Sequence, residues 1–286
     1  MIPLVLAPLM LAQVGPTTGY GAPASQLPLE IIEKKEDEAR RRAAQTVEAP
    51  NVPRGAGCMT AAENSPERTV EVARNALDRA VGRERVRAGL CLGVALSDLD
   101  RWPEAQQAFV DARDATDAGD HQSRARLGAM AGNAALAQGQ GAQALMLLGP
   151  AASEAKTAGD KELIASIALD RARALVAVNR PDEAAAALAE ARAAKPDDAQ
   201  AWLLSATLSR RQNKLIEAQA QIEQAAKLAP RDPEVGLEAG VIAALAGDDG
   251  AARRSFESVV AMAPESDTAG KAKAYLDQLG PKGAKP

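Results

Sequence analysis

Aromatic side chains are nearly missing from this sequence: 286 residues hold two Trp, two Tyr and two Phe. Long β-branched runs are scarce as well, which removes the usual material of a sheet. What fills the apolar 47% is mainly Ala. Ala loses no side-chain entropy on entering a helix and lets two helices approach closely, so an all-α chain of tightly paired helices is expected. Histidine occurs once, as His121. That excludes any site needing two imidazoles and speaks against a Ser-His-Asp triad; standing just after an Ala-Gly-Asp turn, His121 reads as a solvated surface residue. Cysteine occurs twice, as Cys58 and Cys91. Two thiols without a nearby histidine cannot close a zinc site, so no metal is expected. Two readings remain for them: a disulfide, if the chain is exported, or a pair of small buried thiols.

Charge of either sign is not concentrated. The net charge is −4 and the Lys and Arg residues are scattered, so no phosphate-binding footprint appears and nucleic acid is not expected as a partner. Nor is there a long hydrophobic run. Residues 1–12 are apolar but too short to cross a bilayer, so no transmembrane span is expected there. This segment is similar to the apolar part of a secretory signal, with Met10-Leu11-Ala12 as a small-residue cleavage site, although no Lys or Arg precedes it. The expectation is export to the periplasm; the alternative is a cytoplasmic protein.

What is present in quantity is self-similarity. Three blocks of 34 residues run over 165–198, 199–232 and 233–266, with Pro196, Pro230 and Pro264 in the same place. Two longer blocks, 86–124 and 125–164, precede them and share an Ala-Gly-Asp ending at Asp120 and Asp160. Small residues fall in register at Gly93, Gly132, Ala172, Ala206 and Gly240, and again at Ala105, Ala144, Ala184, Ala218 and Ala252. Four residues after the second set stand Phe109, Leu148, Leu188, Ile222 and Phe256. Offsets of three and four place such residues on one helix face, so each block reads as two amphipathic helices.

The pattern resembles the tetratricopeptide repeat (TPR), most closely in block 199–232, where Trp202, Ala206, Ala218, Ile222, Ala225 and Pro230 match its signature. The resemblance covers residues 86–266. It implies a right-handed α-solenoid of about five TPR-like helix pairs, with the second helix of each long block running an extra turn to its Ala-Gly-Asp stop. Gly149-Pro150 inside the second helix of block 125–164 predicts a kink or restart. Residues 65–82 and 267–279 read as capping helices of a solenoid over 65–279, the first opening on Ser65-Pro66 as N-cap and first helical residue. Residues 13–64 read as a linker containing a charged helix near 30–47, and 280–286 as a tail without fixed structure.

A search for chemistry returns nothing. Gly139-Gln140-Gly141 is a turn between paired helices rather than a phosphate loop, and the Asp197-Asp198 and Asp248-Asp249 pairs stand at helix starts, where carboxylates cap free amides. No catalytic residue and no cofactor is expected. The resemblance implies instead that the first helices of the pairs line a concave groove for a protein or peptide segment. Mapped onto this chain, the groove holds Arg126, Asn133, Arg173, Thr207 and Arg210 as a polar, positively charged track flanked by Leu169 and Leu203. Arginines in such a track suit an acidic partner segment; the bland reading has them paired with acidic residues on neighbouring helices. The function implied is an interaction scaffold in the bacterial cell envelope, or an adaptor in the cytoplasm.

Overall fold

A computed structural model describes residues 65–279, which form twelve α-helices. Helix α1 is Pro66–Leu77, and five pairs follow: α2 (Gly82–Asp98) with α3 (Trp102–Asp114), α4 (His121–Ala137) with α5 (Gly141–Ala158), α6 (Lys161–Ala177) with α7 (Pro181–Ala194), α8 (Ala199–Arg211) with α9 (Leu215–Leu228), and α10 (Pro233–Leu245) with α11 (Asp249–Met262). Helix α12 (Asp267–Gln278) closes the far end. Each even-numbered helix from α2 to α10 is the first, or A, helix of its pair, and its partner is the B helix. Each B helix packs on its own A helix and on the next one, which makes the array a helical solenoid. The charged segment near 30–47, the apolar start and the tail at 280–286 lie outside the described residues.

The close approach within a pair rests on the small residues that the sequence places in register. A Cβ on Gly93 would stand 2.3 Å from the Phe109 ring, one on Gly132 2.6 Å from Leu148, and one on Gly240 2.3 Å from the Phe256 ring. Where Ala replaces glycine, the partner is the slimmer Leu188 or Ile222, and all four residues of those two contacts are buried. A second small position lies one helical turn earlier: Gly89, Gly128 and Gly236 would each bring a Cβ within 3.0 Å of Ala112, Ala151 and Val259 respectively. Block 199–232 departs from this second position by placing Trp202 there. The indole Nε1–H donates to the Pro196 carbonyl and the Arg192 guanidinium lies 4.8 Å above the ring, so the larger residue is held at the edge of the pair.

The turns between A and B helices share one backbone conformation. Asp100, Gly139, Asn179, Asn213 and Gly247 all have φ between 57° and 82°. Only Gly, Asn and Asp visit that region at low cost, and these are the residues found there. The starts of several A helices are capped by aspartate: Asp120, Asp160, Asp198 and Asp232 each accept a backbone N–H of the first turn, and Asp248 does the same for α11.

Three details differ from the sequence reading. Helix α5 runs through Gly149-Pro150 without a restart. Pro150 and Met146 are both exposed, so the carbonyl that the ring leaves without its helical donor faces water. The extra residues of the first long block are not helical: α3 ends at Asp114, and Thr116 Oγ1 donates to the Ala112 carbonyl to tie down the turn that follows. Finally, α1 stops at Leu77, short of the expected 65–82, and Ser65 begins it without a side-chain cap; its carbonyl instead accepts from Thr69 Oγ1.

The core is a row of clusters rather than a sphere, dominated by Ala and Leu and finished at the C-terminal end by Phe256 stacked on Tyr275 at 5.2 Å. Two glycines make the steric condition measurable. Gly240→Ala must displace the buried Phe256 ring and should cost about 1–3 kcal/mol. Gly270→Ala, in the exposed face of α12 with nothing within 4 Å of the new Cβ, should gain about 0.5–1 kcal/mol. Urea unfolding of the two variants against the parent chain checks both signs.

Candidate partner-binding groove

The structure joins Asn133 to Arg173 through Asp170 and pairs Arg210 with Glu238, so the arginines of the expected track are not bare positive charges. Asp170, on α6 with 2% of its side chain exposed, accepts from Asn133 Nδ2 at 2.8 Å and from Arg173 Nη1 at 2.6 Å. The pair therefore joins α4 to α6 as well as Arg173 to its own helix. Glu238 on α10 takes Arg210 in a two-point grip, at 2.6 Å from Nε and 3.2 Å from Nη2, and so joins α8 to α10. Both arginines are thus held by carboxylates of the same or the next A helix. Bidentate and buried pairings of this kind fix orientation as much as they add energy. Thr207 donates its hydroxyl back to the Leu203 carbonyl along its own helix.

Leu169 and Leu203 lie beneath this face rather than flanking it: both are buried in core clusters. Arg126 is exposed on α4 and acts on Asp160 through space. At the C-terminal part the face turns apolar, with Leu237 and Val241 half-buried and Leu245 exposed. The carboxylates Asp170 and Glu238, which hold Asn133, Arg173 and Arg210, are the residues that sequence reading passed over. They occupy the sixth position of their blocks, where Cys91, Met130 and Leu204 stand in the others. A charged residue at an otherwise apolar register position was the available signal.

His121 is not a solvated loop residue. It is the first residue of α4, and its Nδ1 lies 2.6 Å from Glu154 Oε2, while Arg124 Nε donates to Glu154 Oε1 at 2.7 Å. Hydrogen bonding from Arg124, then from His121, holds the Glu154 carboxyl below the usual glutamate range. The cluster clasps α4 to α5. Cys91 is buried on α2 and its sulfur is in a disulfide; the one other cysteine of the sequence, Cys58, lies outside the described residues. Among the described residues no group of three or more His, Cys, Asp or Glu side chains could hold a metal ion, and no helix is long and apolar enough to cross a membrane.

Two stability predictions follow from these clusters. Asp170→Ala leaves the largely buried Arg173 guanidinium without its carboxylate and should destabilise the chain by about 3–5 kcal/mol, with Arg173→Met in the same chain restoring part of the loss. Denaturant midpoints of the single and double variants give the answer. For Glu154, the folded carboxyl titrates below its unfolded value of about 4.3, so its contribution is full above that pH and is lost as the pH falls through the folded value. With His121→Asn in both chains, so that the carboxylate alone titrates in the clasp, the Tm advantage of Glu154 over Glu154→Gln should be constant near neutrality, begin to shrink as the pH falls past the unfolded value of about 4.3, and vanish only below the folded carboxyl's own titration, as scanning calorimetry across pH would record.

No family model matches the sequence, and no curated protein matches it. Solved structures do resemble it. YrrB, a TPR protein with an unusual peptide-binding site, superposes with a TM-score of 0.51 at 19% identity over 72% of this chain and 99% of its own. PilF of Pseudomonas aeruginosa gives 0.55 at 13% identity over 75% and 99%. BtubC from P. vanneervenii gives 0.58 at 16% identity over 78% and 94%. At these identities the likeness speaks for the fold: the chain is an all-α, TPR-like solenoid.

Proposed function

We propose that this chain is an interaction scaffold of the bacterial cell envelope, which holds an extended or helical segment of a partner protein against its A-helix face. The observation that carries the proposal is the fixing of the groove's polar side chains before any partner arrives. Arg173 and Arg210 are gripped by Asp170 and Glu238, so little side-chain freedom is lost on binding. One structural neighbour, YrrB, is a TPR protein with a peptide-binding site; a similar solenoid face serves the same role here. The partner segment has two parts on this reading. An acidic residue meets Arg126 and the outer edge of the Arg173 guanidinium, and apolar residues follow onto Leu237, Val241 and Leu245. Export is supported by the apolar residues 1–12 and by the disulfide at Cys91, since such bonds persist in oxidising compartments.

The experiment uses two exposed positions whose replacement leaves the core intact. A photoreactive residue placed at Thr207 in the source cell should crosslink one partner, and Arg126→Glu or Leu245→Glu should each lower that yield about tenfold, the effect of losing roughly 1.4 kcal/mol, with unchanged helical circular dichroism. Equal capture by all three chains would overturn the groove assignment. Thiol labelling in intact cells reads the compartment: sulfurs that react only after reductant agree with export, and sulfurs that react at once place the chain in the cytoplasm.

A further inference from the structure

The arginines of α6 and α8 are both held by carboxylates, but at different edges. A guanidinium is a flat fork in which Nε and Nη2 point the same way and can take both oxygens of one carboxylate. On Arg210 that edge is filled from within the chain: Glu238 Oε1 accepts from Nε at 2.6 Å and Oε2 from Nη2 at 3.2 Å. On Arg173 the internal carboxylate sits elsewhere. Asp170 Oδ1 accepts from Nη1 at 2.6 Å, while Oδ2 accepts from Asn133 at 2.8 Å. The Nε–Nη2 edge of Arg173 is left over.

That edge is also where the fold leaves a donor unsatisfied. Arg173 Nε is buried and donates to nothing, one of two such side-chain atoms among the described residues. The other is Nη1 of Arg192, whose guanidinium lies over the Trp202 ring at 4.8 Å, so that its charge has a partner of another kind. Nη2 of Arg173 has no hydrogen bond among the described residues and is not buried. With 11% of the side chain exposed, Arg173 is therefore reached at its Nη2 corner, and the orphaned Nε stands beside that corner in the same plane. Buried donors are nearly always paired, and bonds to an ionised acceptor are about twice as strong as neutral ones, so a carboxylate gains more at this edge than any neutral group. Asp170 cannot supply it. Its side chain is 2% exposed, and turning to the open edge would release Nη1 or Asn133.

We infer that the Nε–Nη2 edge of Arg173 is a seat for one carboxylate of a bound segment, and that Glu238 determines specificity by closing the equivalent edge of Arg210 from inside. The inference rests on the proposed groove and sharpens it: the bound segment places a single carboxylate, against α6, and finds none of the same kind to be made against α8. Loss of Glu238 opens a second seat and relaxes the selection toward segments carrying two acidic groups.

The Nε–H resonances of the full-length chain, with arginine isotope-labelled and assigned through Arg173→Lys and Arg210→Lys, test the seat without the native partner. The probes are acetyl-glutamate amide, with a side-chain carboxylate, acetyl-alanine, with a terminal one, and acetyl-glutamine amide as the neutral control. The expected result is a saturable shift of the Arg173 signal by a carboxylate probe, with a midpoint at least tenfold below that of the exposed Arg126, while the neutral control and the Arg210 signal show no change. The carboxylate with the lower midpoint names the source, side chain or chain end. In Glu238→Gln, folded by circular dichroism, the Arg210 signal then moves with the same probe; should that variant not fold, Glu238→Asp, one methylene shorter, serves in its place. An Arg173 signal that stays still or never saturates, or an equal response to the neutral control, would overturn the seat. An Arg210 signal that already moves in the parent chain, or that stays still without Glu238, would overturn the role of Glu238. Because no partner protein enters, the crosslink at Thr207 judges the groove separately.

Discussion

Each helix pair in this solenoid depends on one steric condition, that an A helix present no more than a methyl group where the largest side chain of its B helix lies. Gly93 under Phe109 and Gly240 under Phe256 are its strict form, and Ala172 with Leu188 its relaxed form. The condition explains the composition. A chain with six aromatic residues cannot fill wide gaps between helices, so it brings the backbones together until Ala suffices. Both Phe side chains lie against a glycine of the partner helix, and Phe256 also stacks on Tyr275 at the end of the array.

Close packing sets distances within a pair but leaves the rotation from one pair to the next weakly specified, because an Ala-lined interface is smooth. The polar links between successive A helices supply that specification. Asp170 ties α4 to α6 and Glu238 ties α8 to α10, and in both cases the tie lies on the groove face. The same side chains therefore position the repeats and shape the face that the proposed partner would meet. Buried ionic groups retained for geometry rather than for net stability would look like this.

The fold was legible because its signals are local. Period, small positions and the aspartates at helix starts all recur at fixed offsets, and each has a physical cause that acts within one block. The left-handed turn residues Asp100, Gly139, Asn179, Asn213 and Gly247 form a further register that was open to reading, since only a few residue types tolerate their backbone. The groove was less legible. Its arginines were visible, but the carboxylates that hold them belong to a different turn or a different repeat, and Arg210 meets Glu238 only after the chain has passed through α9. His121 was misjudged for the same reason, its partner Glu154 lying on the other helix of the pair. Pro150 misled in the opposite way: its local rule is sound, but exposure lets water take the carbonyl that the helix gives up.

The row of core clusters is uneven along its length. The N-terminal cluster runs without a break from Val70 to Ala174, gathering α1 to α6, whereas the last cluster gathers only five buried residues, Phe256 among them. In a quasi-one-dimensional array stability is the sum of neighbouring interfaces, and a chain built this way has a strong end and a weak end. Unfolding therefore acquires a direction, peeling from α12 toward the middle of the groove. Under mild stress the arginine of α8 would lose its α10 carboxylate while the α4–α6 link still held, leaving half a groove on a folded stem.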